Sequence, residues 1–266
     1  MTANASATRN RPVALVTGAS SGIGQSFAQL LARDGHDLVL VARDGSRLEA
    51  LAKELDGQHG ARSEVLAADL TDREQLAVVE SRLRAAPPVD VLINNAGFGT
   101  FGRFAELDVD TEDREVQLNI TAVVRLTHAA LGPMIARANG SILNVSSIAG
   151  VQPVPGDATY AATKAFVLNF SEALHEELRG TGVNLTVLCP GFTRTEFQER
   201  ADYDAGSVPR FMWQDADEVA EAALASLKKN RAVCVPGALN RVTATLSAMA
   251  PHALSRRVSG KVGRTL

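Results

Sequence analysis

The chain has 266 residues, 45% hydrophobic and 21% charged, the balance of a soluble globular protein and long enough for one α/β domain with a large core. No apolar run approaches ~18 residues, so a spanning helix is excluded; Met1–Pro12 lacks the apolar stretch of a secretory signal. Two cysteines, Cys189 and Cys234, cannot make a disulfide framework, and a reduced cytoplasm is the expected home. Net charge is −3 but uneven: residues 222–266 hold eight Lys/Arg and no acid, while the rest hold 19 basic residues against 30 acidic. That acidic body gives no reason to expect nucleic acid as a partner.

Aromatics are only 5%, so aliphatic side chains must fill the core, as in a parallel sheet covered by helices. Val13–Thr17 is a first apolar run, ended by Gly18, and Ser26–Arg33 is helical, with Phe27, Leu30 and Leu31 on one face. Asp37–Ala42 is a second strand, followed by a charged helix to about Leu55. Ser63–Ala68 and Arg73–Arg84 form the next strand and helix, and Pro87-Pro88 bars the helix from continuing before strand Val89–Asn94. A long helix spans about Thr111–Ala138; then come strand Ser141–Ser146, helix Asp157–Arg179, strand Val183–Leu188, helix Ala216–Lys228 and strand Ala232–Val235. Strands alternating with helices specify a doubly wound parallel sheet of about seven strands with right-handed crossovers, a Rossmann-type α/β fold. The expected organisation is a flexible segment 1–11, a Rossmann domain 12–236 and a basic amphipathic extension 237–266.

The first strand-to-helix turn reads Thr17-Gly18-Ala19-Ser20-Ser21-Gly22-Ile23-Gly24. Gly18 suits the tight turn, Gly22 lets backbone approach a pyrophosphate, and Gly24 lets the helix pack closely on the sheet. The helix N-terminus then faces the phosphates with free N–H groups. At the end of the second strand an NAD-preferring site places a carboxylate for the ribose 2′-OH. Here Ala42 precedes Arg43, whose forked donor suits a 2′-phosphate, with Ser20 and Arg47 as additional contacts, so NADP(H) is the expected cofactor. Tyr160 and Lys164 lie i, i+4 on one helix face. A free phenol has a pKa near ~10, and a nearby ammonium favours its ionised form.

Glycines spaced G-x-x-x-G-x-G, together with Asp69-Leu70, Asn94-Asn95-Ala96-Gly97, Asn119, Ser146-Ser147, Tyr160-Ala-Ala-Thr-Lys164 and Pro190-Gly191, resemble the short-chain dehydrogenase/reductases, in order and spacing, over residues 12 to about 236. The resemblance implies cofactor contacts from Gly18, Ser20, Ser21, Gly22, Ile23, Gly24, Arg43, Asp69, Leu70, Asn95, Ala96, Gly97, Tyr160, Lys164, Pro190, Gly191 and Thr193. Asp69 would hold the adenine amino group and Thr193 the nicotinamide carboxamide, while Asp44 would point away from the adenosine pocket. It implies catalysis by Asn119, Ser147, Tyr160 and Lys164. Ser147 would orient the carbonyl, and protons would pass from Tyr160 through the cofactor ribose and Lys164 to a water held at Asn119, which bends its helix. Ser146 would be structural. The resemblance also implies a homodimer or homotetramer.

The five histidines, scattered and without paired cysteines, give no metal site. Asn4, Asn119, Asn144 and Asn184 begin N-x-S/T triplets, three of them inside predicted core elements, so glycosylation is discarded. Segments after strands four, five and six carry Phe98 and Phe101, Val151–Pro155, and Phe192–Trp213 with Phe197, Tyr203, Phe211 and Met212. They suggest an apolar pocket under a movable lid, or core packing for that lid. The expected activity is reduction of a hydrophobic ketone or oxidation of its alcohol. The alternatives are a 3-oxoacyl-thioester reductase of fatty-acid or polyketide metabolism and a non-catalytic NADP(H)-sensing module. The amphipathic tail, with Leu239, Val242 and Leu246 among Arg241, Arg256 and Arg257, suits an anionic membrane surface or packing on the body or a second subunit; packing is favoured.

Overall fold

The structure is a computed structural model, and it describes residues 11–201 and 208–249. Tyr203, the first ten residues with Asn4, and the basic tail from residue 250 lie outside the described residues.

Seven strands form one parallel sheet in the order β3-β2-β1-β4-β5-β6-β7. They are β1 (Val13–Thr17), β2 (Asp37–Ala42), β3 (Ser63–Ala67), β4 (Val91–Asn94), β5 (Gly140–Val145), β6 (Val183–Leu188) and β7 (Val233–Cys234). Every residue of β1 is buried, because both faces of a parallel sheet are covered and its strands read as continuous apolar runs. On one face Phe27, Leu30 and Leu31 of α1 (Gly22–Arg33) and Val219, Ala223 and Leu227 of α8 (Ala216–Lys228) pack on the sheet, with α2 (Gly45–His59) beside them. On the other face lie α3 (Arg73–Arg84), α5 (Val123–Ala136) and α6 (Ala158–Glu177), with Val79, Leu126 and Val167 fully buried.

Aspartates fix four helix starts: Asp44, Asp72, Asp108 and Asp215 each accept backbone N–H of the first turn. Arg11 ties the ends of the α1 and α2 hairpins together, its guanidinium donating to Ala32, Gly35, His36, His59 and Gly60 carbonyls. Asn94 and Asn144 face each other in register across β4 and β5. Asn94 Nδ2 donates to Asn144 Oδ1 at 2.9 Å and to Thr127 Oγ1 at 3.0 Å, and Asn144 Nδ2 donates to Ser171 Oγ at 3.0 Å. Both polar atoms of the Asn144 amide are thereby paired, as a dry interior demands, whereas Asn94 Oδ1 is buried without a hydrogen-bond partner among the described residues.

The long fourth helix is not uniform. It runs as α4 (Val109–Val116), a π-helical turn Gln117–Ala122, then α5. Residues 238–249, written above only as an amphipathic pattern, form a helix, α9 (Ala238–Met249), packed against the 3₁₀ turn Ile148–Val151 that follows β5. Strand order reverses between β1 and β4, each hydrogen-bonded to the other. Ligands of such sheets bind in the crevice at the carboxyl ends of the strands at this point.

Candidate active site

A cleft of about 1180 Å³ opens there. At one end the glycine loop forms its floor. Gly18 has φ +67° and Gly22 φ +55°, left-handed values that favour glycine. A Cβ on Gly24 would stand 2.1 Å from the Gly18 carbonyl oxygen and 2.5 Å from Asn95 Nδ2, so the helix start can sit this close only without a side chain. Thr17 Oγ1 accepts from the N–H groups of Asn95 and Ala96, and Asn95 Nδ2 donates to Thr17 O. Asn95 thus braces the loop with its side chain instead of presenting its amide to a ligand. Ser20, Ser21 and Ile23 line the cleft beside these glycines. Bare backbone at a helix N-terminus, in a cradle that a Cβ would fill, fits a dinucleotide pyrophosphate.

Ala42, Arg43, Asp69 and Leu70 line the cleft further out. Asp69 is shaped by its own turn, accepting from the N–H and hydroxyl of Thr71. Asp44 also borders the cleft, yet its carboxylate serves α2, accepting from Ser46 Oγ and Arg47 N, which hold its pKa below the usual range. Arg47, expected to reach toward a 2′-phosphate, pairs with Glu196 at 2.9 Å.

The other expected residues converge near the middle. Ser147 follows β5 and lines the cleft beside Tyr160, close enough to hold the phenol's pKa down, and its hydroxyl accepts from Ala149 N at 3.1 Å. Ser146 points inward, donating to Lys164 O at 2.6 Å. Tyr160 and Lys164 share one face of α6, with Lys164 Nζ 5.5 Å from the ring centroid and donating to Val145 O at 3.0 Å. Asn119 sits fully buried within the π turn. Its Nδ2 donates to Phe98 O at 2.8 Å and its Oδ1 accepts from Phe98 N at 3.2 Å, so the widened turn stitches the helix to the loop after β4. A Cβ on Gly97 would lie 2.9 Å from Asn119 Oδ1 and 3.3 Å from Lys164 Nζ. The two side chains therefore border the same small space.

Burial, reinforced by Asp157 and Glu115 and opposed by Ser147, pushes the Tyr160 phenol upward. Burial brings Lys164 down to about 8, against the pull of Glu115.

Phe98 and Phe101, Gln152–Pro155, Phe192, Phe197 and Met212 line the remaining wall. Phe197 packs on Tyr160 with centroids 5.5 Å apart, and Phe192 packs on Trp213 at 5.6 Å, so these rings split between wall and lid packing. Phe211 is 77% exposed. Pro190, Gly191 and Thr193 lie where β6 ends at the cleft, Thr193 Oγ1 donating to Gly191 O. Sequence reasoning missed two contributors. Thr243, Ala244 and Ser247 of α9 form a cleft wall, with Ser247 donating to Gln152 Oε1 at 2.9 Å and Asn240 to Gln214 Oε1 at 2.8 Å. Glu112 and Glu115 of α4 are buried behind Asn119.

The fold and this cleft define a nucleotide-binding oxidoreductase of Rossmann type. The short chain dehydrogenase family model matches residues 12–205, and the chain belongs to that family. It is similar to a short-chain dehydrogenase from Sphingobium yanoikuyae solved in complex with NADPH: 40% identity, TM-score 0.82, covering 91% of this chain and 97% of that one. It is similar also to a bulky-bulky ketone specific alcohol dehydrogenase from Comamonas testosteroni, at 37% identity and TM-score 0.78, covering 92% and 96%. A granaticin polyketide synthase putative ketoacyl reductase from Streptomyces violaceoruber is 38% identical over 224 residues, 82% of this chain and 80% of its own. No helix of the described residues is long and apolar enough to cross a membrane.

Proposed function

We propose that this oxidoreductase transfers a hydride between NADP(H) and an apolar ketone or its secondary alcohol, with Tyr160 as acid/base. The observation that carries the reading is the convergence of Ser147 and Tyr160 on one point of a largely apolar cleft, with Lys164 and Asn119 directly behind. At the far end Ala42 leaves the 2′ position without a carboxylate and Arg43 supplies a cation. The NADPH complex of the Sphingobium protein and the bulky-ketone activity named for the Comamonas enzyme favour the same pairing of cofactor and substrate.

NADP(H), when bound, supplies or accepts the hydride at the carbonyl carbon. The chain's own residues manage orientation and the proton. A carbonyl oxygen seated between Ser147 Oγ and Tyr160 Oη accepts two hydrogen bonds that strengthen as it becomes an alkoxide. Tyr160 gives its proton to that oxygen. Lys164, enclosed and brought down to about 8, holds positive charge beside the phenolate so formed and stabilises it until a proton is returned to it. Phe98, Phe101 and Phe197 exclude water from the reacting carbon.

The granaticin relative favours a second reading, reduction of a 3-oxoacyl thioester. NADPH consumption against ring, steroid, fatty-chain and acyl-thioester substrates separates the two. The highest kcat/KM is expected on a bulky ring or steroid ketone, with NADPH preferred over NADH. A thioester outrunning every ketone would establish the second reading. Tight NADPH binding without turnover of any substrate would return the protein to the sensing alternative.

A further inference from the structure

Behind the cleft lies a group of carboxylates that hydride transfer does not require. Glu112 and Glu115 stand one turn apart on α4, 5% and 0% exposed, and Asp157 precedes α6, half-buried on the cleft wall. Burial and repulsion from Glu112 push Glu115 and Asp157 each up to about 7.

The hydrogen bonds show how the charge is divided. Thr100 Oγ1 lies between the two glutamates, donating to Glu112 Oε1 and standing 3.2 Å from Glu115 Oε2. Thr159 Oγ1 donates to Glu112 Oε2. A hydroxyl has one proton to give. Glu112 receives two hydroxyl donors, while Glu115 has the Thr100 backbone N–H at 3.2 Å and a longer contact from Asn119, so Glu115 is the more weakly supported anion and the one placed to take up a proton toward Thr100 Oγ1. Glu115 also reaches the Asn119 amide: Asn119 Nδ2 donates to Phe98 O at 2.8 Å and Thr163 Oγ1 at 3.1 Å and lies 3.4 Å from Glu115 Oε1, which backs it from the α4 side. Asn119 Oδ1, held by Phe98 N, is turned toward Gly97 and Lys164.

We propose that Glu112 and Glu115 hold one proton between them across the Thr100 hydroxyl, and that Glu115 is a positioning residue of the active site. Its carboxyl fixes the Asn119 amide, and its charge tunes when Tyr160 releases a proton. The proposal rests on the reading of Tyr160 as acid/base. The charged and titratable groups facing this pair are Asp157, Tyr160 and Lys164 from the α6 side. Cys189, buried and pushed up to about 12, faces Lys164 from the end of β6. Arg114, on the outer side of α4, bonds Thr111. An anionic Glu115 opposes the phenolate and supports the Lys164 ammonium; a neutral one removes both effects.

The test is the pH profile of kcat/KM for alcohol oxidation with NADP⁺, which rises as Tyr160 loses its proton. In Glu115→Gln that rising limb should move to lower pH by roughly one unit, whereas Glu112→Gln, which relieves the repulsion that keeps Glu115 protonated, should move it to higher pH. Glu115→Asp, which keeps the charge, should restore the limb. Infrared difference spectra of the protein without cofactor should show protonated-carboxyl absorption titrating near neutral pH, reduced in Glu115→Gln to the share of Asp157. A limb unmoved in both Gln variants, while Tyr160→Phe abolishes turnover, would overturn the proposal and leave the acid/base reading standing. Undiminished turnover by Tyr160→Phe would instead break that reading.

Discussion

At its adenine end the cleft is shaped by residues adjacent in sequence, Gly18 to Gly24 and then Ala42 and Arg43. At the substrate end it is shaped by side chains from four separate places: the loops after β4, β5 and β6, and α9. The first end depends on missing atoms, since Gly24 sits where a Cβ would meet the Gly18 carbonyl at 2.1 Å. The second depends on atoms that are present, rings such as Phe98 and Phe197 and short polar groups such as Ser247. Backbone cannot step aside, whereas side chains repack, so the first end should fail sharply and the second should drift.

The largest expected effect of that contrast is at the loop. Gly24→Ala forces overpacking between fixed backbone segments, which typically costs about 1–3 kcal/mol. NADPH affinity, read by fluorescence titration, should fall on the order of 10- to 100-fold, with a lowered Tm. Next comes Arg43→Asp, which on the proposed reading exchanges a donor to the 2′-phosphate for a carboxylate that repels it. The NADPH/NADH ratio of kcat/KM should drop roughly 10- to 100-fold, as loss of a charge-assisted hydrogen bond implies. An unchanged ratio would remove Arg43 from the cofactor site. At the substrate end, Ser247→Ala breaks the link from α9 to Gln152 and should change KM for a bulky ketone about 2- to 10-fold, leaving NADPH affinity untouched. Equal loss of cofactor binding would mean that α9 supports the whole cleft. Smallest is Glu196→Gln. It removes the ion pair with Arg47, whose two side chains are 42% and 48% exposed, and such pairs contribute about 0–1 kcal/mol; Tm should stay essentially unchanged.

The same contrast explains what the sequence made legible. The apolar runs of β1, β2 and β6 and the helix limits of α3 and α8 coincide with the structure, because burial on both sheet faces writes hydrophobicity directly into consecutive residues. The glycine loop was readable because its spacing is itself the geometry. Asn119 was readable as a bend, but not as a π turn clasped to Phe98, since that clasp spans 21 residues. Glu112 and Glu115 belong to no motif of the sequence; only packing against Thr100 and Thr159 places them indoors. The tail's amphipathic pattern announced a helix, and α9 packs on the turn after β5 with Ala244 buried, but Leu239, Val242 and Leu246, on which the pattern was read, stay exposed. Arg47 was read as a cofactor contact because nothing in the sequence ties it to Glu196, 149 residues away.

The two ends matter to function only if they meet at Tyr160. The most direct measurement is the rate of NADPH oxidation with a bulky ketone by Tyr160→Phe beside the unaltered protein, with NADPH affinity measured on both. A phenyl ring keeps the packing against Phe197 and loses only the hydroxyl, so affinity should hold while kcat falls on the order of 10²- to 10⁴-fold. Turnover by Tyr160→Phe at the rate of the unaltered protein would contradict the assignment of the proton to Tyr160.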